Sequence, residues 1–540
     1  MTKSKNPKTK KKSNISNDPS GIKFDFNSIL ENQFLGLYIG AVFCVVMLII
    51  SFTFHKIGDY GVETDFYQAY VPVARDFLNG IITIDPYKGP VYQIVLGSIG
   101  FIAGDLFRAG IIICVLSASI FIYFSFEVLK KLFSVKEAIF VISLLIFNPV
   151  FIQFTYSAGT DMFFAALLSV AFYFLFKNDE LNYKNLVIAA LISGIAYLTR
   201  YNGVFLIGFV AVILFVNYWK LDWKKRIISS LVYIGTFLLT ITPWGIYCFN
   251  KKGSFFYNEN YRNIAYELYG KGKINWDQFW YSSVKEFTSL SDVIFKDPIL
   301  FISNSFQNIY THFTSDLKDL LGWHIGAFVI LGLIFFIYNN PVKNWESRKT
   351  GYYLMNLFFF LVLLIVFYSE RFSMFLLPCY LAVAVSGMIG ENFSLKRLFS
   401  KTLVYFLFVF LFAFSAYKTY AVNSRIIDSG PGEILVLRDW YLSSVPENKR
   451  GKNIAARKPQ VAYYLNMQFN AIPLSEDYND FISKLRKDKD DYLYFSPMEA
   501  QTRPQLQYLL NPKVEHPGLK PVVYFENPPA VLYKVLDVSN

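Results

Sequence analysis

The chain has 540 residues, a formal net charge of +12, and hydrophobic residues at 54% of its positions. A soluble protein of this length would form about three or four domains. However, apolar runs of roughly 16 to 22 residues, the length of a helix that crosses a bilayer, recur between about 100 and 420. The composition therefore excludes an ordinary soluble protein and predicts a polytopic α-helical membrane protein.

The positive charge is concentrated at the start of the chain and in short loops. Six lysines crowd the first twelve residues: Lys3, Lys5, Lys8, Lys10, Lys11 and Lys12. This pattern is typical of cytoplasmic segments of membrane proteins, so we expect residues 1–33 to form a basic cytoplasmic tail. Nucleic-acid binding favours aromatic residues within a basic run, and this run has none, so no nucleic-acid partner is expected.

The four cysteines lie within or at the edge of apolar stretches, at Cys44, Cys114, Cys248 and Cys379. Their spacing is typical neither of metal ligands nor of a disulfide framework. We expect neither a metal nor another cofactor. The first apolar segment, near Phe34, is long and lacks a small-residue cleavage site, so we expect it to remain as a helix.

The first predicted span, Phe34–Phe54, leads to a first external loop at 55–108. The apolar stretch Val91–Ala103 inside this loop has only 13 residues, fewer than the roughly 20 that a span needs. If it crossed the membrane, the basic cluster at 130–136 would lie outside, against the charge rule. We therefore predict an interfacial helix at 91–103.

About eleven transmembrane helices follow from this topology, within a membrane domain at 34–421. After the first, the predicted spans are 109–128, 138–156, 160–176, 185–200, 203–219, 227–248, 323–339, 351–368, 372–389 and 402–421. A long external loop is expected at 249–322. The N-terminus is expected in the cytoplasm and the protein in the plasma (inner) membrane.

From residue 422 the apolar runs shorten and the charged fraction rises. Strand-like pieces at Tyr492–Phe495 and Val522–Phe525 alternate with a helical piece at Tyr478–Lys487. The segment 422–540 is large enough for a small core of its own. We predict a soluble α/β domain there, on the extracytoplasmic side.

Seven charged residues fall at the outer ends of predicted helices or in outer loops: Asp65, Lys88, Asp161, Arg200, Arg262, Glu370 and Arg371. Ionisable groups at membrane depth are costly and are usually functional. Asp65 has the chemistry of a general base, and a lysine beside Gly89 and Pro90 has that of a phosphate ligand. Convergence of these groups on one side of the membrane predicts an active site there.

Each residue also has an ordinary structural interpretation. Taken alone, Asp65 is more typical of a solvated loop acid or a helix N-cap, and Lys88 of an interfacial lysine that extends towards headgroups. Asp161 suits a helix N-terminus, and Arg200 a helix C-terminus. Glu370 and Arg371 could form a simple ion pair. Singly, none of these residues carries a function.

In their order along the chain, short motifs over about residues 35–395 resemble the GT-C glycosyltransferases, with the protein O-mannosyltransferase and lipid A aminoarabinose transferase group as the nearest kin. The motifs comprise Asp65 with Tyr70, Ala74 and Gly80; Tyr87-Lys88-Gly89-Pro90-Val91-Tyr92; Asn148-Pro149; Gly159-Thr160-Asp161; Thr199-Arg200-Tyr201; Thr242-Pro243-Trp244; Lys252-Gly253-Ser254-Phe255-Phe256-Tyr257; and Glu370-Arg371-Phe372 with Pro378. Two departures are Phe66, where the family commonly has a second carboxylate, and Gly89, where it has proline.

The resemblance implies an enzyme that transfers a hexose or pentose from a polyprenyl-phosphate carrier, at the outer membrane face and with inversion. It implies Asp65 as catalytic base, Asp161 in support, and Lys88 at the carrier phosphate. Arg200, Arg262 and Arg371, with Glu370 beside them, are implied as further substrate-binding residues. The implied partners are the lipid-linked donor, membrane lipids, and a glycan, lipid or protein acceptor, with no metal.

Three other interpretations remain open from the residues. A transporter would favour broken helices and polar groups near the bilayer midplane. An O-antigen ligase or polymerase depends on external loops rich in arginine and histidine, and this chain has four histidines in all. A non-catalytic assembly protein that kept the fold is the third.

Overall fold

The structure is a computed structural model that describes residues 32–217, 222–339, 346–391 and 393–537. The predicted basic tail at 1–33 lies almost entirely outside the described residues. The described part is predominantly helical and ends in a small β-sheet.

Ten α-helices cover the first half. They are α1 Leu35–Phe54, α2 Val71–Leu78, α3 Val91–Ala103, α4 Leu106–Leu132, α5 Val135–Leu145, α6 Pro149–Tyr156, α7 Thr160–Phe176, α8 Tyr183–Tyr197, α9 Phe205–Asn217 and α10 Trp223–Lys252. A π-helical turn, Phe66–Tyr70, leads into α2, and a 3-10 turn, Tyr201–Val204, leads into α9.

The next ten α-helices run from residue 261 to residue 428. They are α11 Tyr261–Ala265, α12 Trp276–Tyr281, α13 Leu290–Lys296, α14 Pro298–Ser315, α15 Trp323–Tyr338, α16 Ser347–Leu363, α17 Glu370–Ser373, α18 Leu377–Ile389, α19 Leu395–Leu398 and α20 Lys401–Asp428. The predicted external loop at 249–322 is therefore largely helical, and α14 alone has 18 residues.

Helix α4 is central to the bundle, because it packs against α1 on one side and α7 on another. Aromatic residues such as Phe121, Phe172 and Phe375 fill the interior between helices, and their rings lie in mutual contact. In contrast, α10 and α20 keep large apolar side chains exposed, for example Leu239 and Phe406. Apolar residues on both faces are typical of helices that contact lipid.

Five helical stretches within the described residues are long and apolar enough to span a membrane. They are Leu35–Phe54, Leu106–Leu132, Trp223–Lys252, Glu370–Ile389 and Lys401–Ser444. Shorter apolar helices include α3, α7, α8 and α15. A polytopic helical membrane protein is confirmed, whereas the number of eleven spans and the interfacial position of α3 stay predictions. The bounds of α3 coincide with those predicted.

The predicted span at 138–156 contains two helices, α5 and α6, instead of one straight helix, and whether the pair crosses the membrane as one span stays a prediction. The chain bends by 67° between α5 and α6. The first helix ends at Leu145, and Asn148 caps the second, because its side chain accepts a hydrogen bond from the amide of Phe151. Pro149 occupies the first position of α6, where its missing N–H costs nothing. The Asn148-Pro149 pair therefore accounts for the start of a new helix at this point.

The C-terminal part folds as an α/β domain, as predicted. Its strands are β1 Asn453–Ala456, β2 Gln468–Ala471, β3 Tyr492–Phe495, β4 Leu519–Glu526 and β5 Pro529–Val535. The sheet order is β2-β1-β3-β5-β4, parallel between β1 and its two neighbours and antiparallel elsewhere. Its helices are α21 Glu433–Ser444, α22 Gln460–Tyr464, α23 Tyr478–Lys487 and α24 Pro497–Thr502. The predicted domain border at 421/422 falls inside α20.

Candidate active site

Two extended segments bring the first external loop to the end of α8. Lys88 and Arg200 form an isolated antiparallel bridge, and the amide of Val91 donates to the carbonyl of Leu198 at 3.1 Å. Gly89 permits this approach, because a Cβ there would lie 2.0 Å from the Leu198 carbonyl oxygen. The departure from the commoner family pattern at Gly89 therefore has a steric reason.

A buried carboxylate shapes the turn before Lys88. Asp85 accepts hydrogen bonds from the amides of Tyr87 at 2.6 Å and Lys88 at 2.8 Å. Burial raises the pKa of Asp85, while these two amides and the Lys88 charge oppose that rise. Asp85 was not among the residues predicted from the sequence, although an Asp-Pro pair is a recognised start of a turn.

Five of the seven predicted residues meet at this point. Arg371, at the start of α17, donates from Nη1 to Oδ2 of Asp65 at 3.2 Å. Arg200 forms an ion pair with Asp161, and its guanidinium also reaches the hydroxyl of Thr160 at 3.2 Å. Lys88 makes no ion pair within the described part of the chain, although the charges of all four other residues act on it.

The two acidic groups differ in exposure. Asp65 keeps 45% of its side chain exposed, whereas only 10% of Asp161 is exposed. Burial tends to raise the pKa of Asp65, but the positive charges of Arg371 and Lys88 outweigh it and lower that pKa overall. Asp65 is therefore an ionised, accessible carboxylate, and Asp161 is a buried counter-charge for Arg200.

Lys88 has an unusually acidic ammonium group. Burial, followed by repulsion from Arg200 and Arg371, lowers the pKa of Lys88 to about 7, against the attraction of Asp65 and Asp161. A cation in such surroundings is stabilised by any anion that approaches it. The arrangement is suited to bind a ligand with negative charge.

A cavity of about 710 Å³ opens beside this cluster, and Lys88, Arg200 and Arg371 line one part of it. Most other walls are aromatic or aliphatic: Tyr197, Tyr201, Val204, Phe256, Tyr257, Tyr261, Ile264, Leu290, Val362, Leu363, Ile365, Val366, Phe367 and Phe372. Phe372 lies beside both guanidinium groups, with centroid distances of 5.6 Å to Arg200 and 5.0 Å to Arg371. A cavity with cations on one side and mainly apolar walls elsewhere is suited to an amphiphilic anion.

The other two predicted residues lie apart from the cluster. Arg262 forms an ion pair with Glu259 at 2.6 Å and contacts Tyr87, next to the cavity wall. The negative charge of Glu370 lies close enough to the buried Asp316 to repel it. Among the described residues, Glu370 forms no ion pair with Arg371, which pairs with Asp65. The alternative of a simple Glu370–Arg371 pair is therefore wrong.

Glu63 links the first loop to the turn before Asp161, a role that the sequence analysis did not assign. Its fully buried carboxylate accepts from the amide of Ala158 at 2.6 Å and contacts Nε2 of His55 at 2.9 Å. The described residues contain no group of three or more His, Cys, Asp or Glu side chains arranged to hold a metal ion.

Comparisons with known proteins concern one segment of the sequence and the overall fold. Residues 87–247 match the family described as dolichyl-phosphate-mannose-protein mannosyltransferase. That segment contains Lys88, Asp161 and Arg200, but neither Asp65 nor Arg371. No curated protein matches the chain significantly over its sequence.

Solved structures with a similar fold span most of the chain. ArnT from Cupriavidus metallidurans, bound to undecaprenyl phosphate, has 13% identity and a TM-score of 0.57, covering 94% of this chain and 99% of its own. An Archaeoglobus fulgidus oligosaccharyltransferase tethered to an acceptor peptide has 13% identity and a TM-score of 0.51, covering 94% and 75%. The archaeal AglB from the same organism, with an inhibitory peptide and a dolichol-phosphate, has 13% identity and a TM-score of 0.53, covering 86% and 70%.

The fold is that of the multi-pass membrane glycosyltransferases of the GT-C class. Within that class, residues 87–247 are similar to the protein mannosyltransferase family, and the whole chain is similar in fold to ArnT.

Proposed function

We propose that this protein transfers a sugar from a polyprenyl-phosphate carrier to an acceptor at the outer face of the membrane. The sugar is a hexose or pentose, its anomeric centre is inverted, and Asp65 acts as the general base. The acceptor is a hydroxyl or amine of a lipid, glycan or protein. The proposal requires no metal.

The observation that carries this proposal is the position of Lys88. Its ammonium has no ion-pair partner among the described residues and lies with two arginines beside a cavity of about 710 Å³. A polyprenyl phosphate has the matching halves, since its phosphate is a compact anion and its chain is apolar. The match to ArnT, solved with undecaprenyl phosphate, supports the same class of donor.

In the proposed reaction, an acceptor oxygen or nitrogen attacks the anomeric carbon from the face opposite the phosphate. Asp65 takes the proton of that acceptor group, for which its exposed, ionised carboxylate is suited. The bond between the sugar and the phosphate breaks, and its electron pair leaves with the polyprenyl phosphate. Attack from the opposite face inverts the anomeric centre.

The cations favour this bond cleavage. Negative charge grows on the leaving phosphate, and fixed positive groups stabilise such charge most where water is excluded. Lys88, Arg200 and Arg371 line the same cavity. The ion pair with Asp161 fixes the guanidinium of Arg200 in place, and Arg200 is only 6% exposed. Asp161 thus supports the site without touching the acceptor.

Binding of undecaprenyl phosphate tests the donor half of the proposal. The purified protein in detergent is expected to bind it, and Lys88→Met is expected to weaken binding by at least about tenfold, because one charge-assisted contact is lost. Lys56→Met is the matched control, since Lys56 is an exposed lysine of the same loop. Equal affinity for both variants would contradict the role of Lys88.

Transfer tests the second half. Labelled polyprenyl-phosphate sugars are incubated with the protein and with membrane fractions as the source of acceptor. Asp65→Asn is expected to reduce transfer by about 10²-fold or more, whereas Asp76→Asn in the same loop leaves it unchanged, because an amide still accepts the bond from Thr83. Transfer that persists in Asp65→Asn would remove Asp65 as the base.

A further inference from the structure

The loop that carries Asp65 is part of the core of the C-terminal domain. Ile57 is 6% exposed and packs in one cluster with Ile434 and Leu437 of α21. Tyr60 packs against the same cluster. The chain before Asp65 is therefore held by residues almost four hundred positions away, in addition to the contact of Glu63 with Ala158 in the helical bundle.

Hydrogen bonds from one short segment of the domain, 457–464, reinforce this packing. The side-chain amide of Gln460 donates from Nε2 to the backbone carbonyl of Asp59 at 2.5 Å. The hydroxyl groups of Tyr67 and Tyr464 lie 3.2 Å apart. These contacts lie on both sides of Asp65 in sequence, at Asp59 and at Tyr67, so the domain holds the turn at both ends.

Lys458 of the same segment reaches the turn itself. Its Nζ donates to Oγ1 of Thr64 at 3.0 Å, one residue before Asp65. Lys458 forms no ion pair within the described residues, although Asp65, Asp59 and Asp277 attract its charge and Arg457 repels it. An ammonium has three donors, and only one is used here. The free charge of Lys458 therefore acts on the carboxylate of Asp65.

We propose that Lys458 is a positioning residue of this site, through which the C-terminal domain fixes the Thr64–Asp65 turn and favours the ionised form of Asp65. The proposal rests on the proposed function, in which Asp65 is the general base. It gives the C-terminal domain a role in the reaction itself. Asp65 then receives positive charge from Lys458 of the domain in addition to Arg371, Lys88 and Arg200 of the helical part of the chain.

A thiol placed at position 65 measures this charge without any substrate. In Asp65→Cys, the rate of alkylation is followed against pH, and mass spectrometry of the peptide around position 65 separates it from the four native cysteines. Arg371, Lys88, Arg200 and Lys458 all favour the thiolate, while the carboxylate of Asp85 opposes it. Adding Lys458→Met is expected to raise the pKa of this thiol by roughly half to one unit, because one nearby charge is lost.

Two further variants separate charge from structure. Lys458→Arg, which keeps the positive charge, is expected to restore the original pH profile. Lys452→Met removes an exposed lysine of the same domain and is expected to leave it unchanged. An unchanged thiol pKa in Lys458→Met, or an equal rise in Lys452→Met, would overturn the proposal. Because this assay needs neither donor nor acceptor, its failure is distinguishable from absence of sugar transfer in the native protein, which would refute the proposed function.

Discussion

The backbone of Lys88 pairs with that of Arg200 through an isolated antiparallel bridge, so two cations lie on adjacent extended segments. Neither segment belongs to a sheet, and the pairing depends on the close approach at Gly89. Like charges at such proximity repel, and Arg200 is neutralised by Asp161 while Lys88 is not. The fold thus holds one unneutralised ammonium next to a compensated guanidinium, an arrangement stabilised by a bound anion.

The low pKa of Lys88, about 7, predicts that donor binding is coupled to proton uptake. A bound phosphate raises the pKa of this ammonium. In the free protein at pH 7 about half of the Lys88 side chains are neutral, and these take up a proton when the phosphate binds. Affinity for undecaprenyl phosphate should therefore fall by up to about tenfold per pH unit above pH 7. Below roughly pH 6 the phosphate itself loses charge, so binding is tightest at about pH 6 to 7.

Calorimetry in two buffers of different ionisation enthalpy measures this uptake directly. Close to one proton per bound phosphate is expected at pH 8. Lys88→Arg serves as the control, because a guanidinium stays charged throughout this range, and its affinity should vary little above pH 7. Binding by the native protein without proton uptake at pH 8 would contradict the assignment.

Gly89→Ala is expected to separate the two segments. The added Cβ would lie 2.0 Å from the Leu198 carbonyl oxygen, a backbone atom that cannot rotate away. Loss of the bridge displaces Lys88, so undecaprenyl phosphate binding should weaken by about tenfold or more, and the melting temperature should fall. Gly235→Ala is the control, since a Cβ there meets no atom within 4 Å. Native-like binding by Gly89→Ala would show that the bridge is dispensable.

The sequence predicted which residues share one end of the bundle, because basic loops report the side of each helix end. This information was enough to place Asp65, Lys88 and Arg371 on the same side of the bundle. They meet there although some three hundred residues separate Asp65 from Arg371. It could not predict the partners, since ion pairs between distant segments leave no local pattern. Arg262 is a different case, because its partner Glu259 is only three residues away and this local spacing was not used in the prediction.

Local signals were present in two places where the prediction left structural detail out. The Asn148-Pro149 pair is a typical helix start, and the chain bends there within the predicted span. Asp85-Pro86 is a typical turn, and Asp85 orders the backbone of Lys88. The contact of Lys458 with Thr64 had no such signal, because it requires the docking of a separate domain.

Removal of Arg371 is expected to shift the pH profile of transfer. The charge of Arg371 is the largest influence that lowers the pKa of Asp65, against the effect of burial. Arg371→Met therefore raises that pKa, and since Asp65 works in its ionised form, the acid limb of the transfer rate should move to higher pH. Arg371→Lys keeps the charge and should shift the limb less. An acid limb at the native position in Arg371→Met would show that Asp65 does not titrate there.

Asp277 is predicted to hold the C-terminal domain against the long segment at 249–322. Its buried carboxylate forms ion pairs with Arg457 and Arg503, each at 3.1 Å, and the side chain of Arg503 is only 3% exposed. Asp277→Asn leaves a buried guanidinium without its counter-charge, which costs about 3 kcal/mol. A lower melting temperature is expected, together with faster hydrogen exchange at 453–464 and at 57–67.

The exchange at 57–67 distinguishes coupling from local damage. This loop does not touch Asp277 through any described hydrogen bond or ion pair, and it responds only if the domain carries the effect through Lys458 and Gln460. Asp292→Asn is the matched control, because Asp292 is an exposed carboxylate of the same segment bonded only within its own turn. Faster exchange confined to 453–464 in Asp277→Asn would show that the Asp65 loop is held independently of the ion pairs of Asp277 with Arg457 and Arg503.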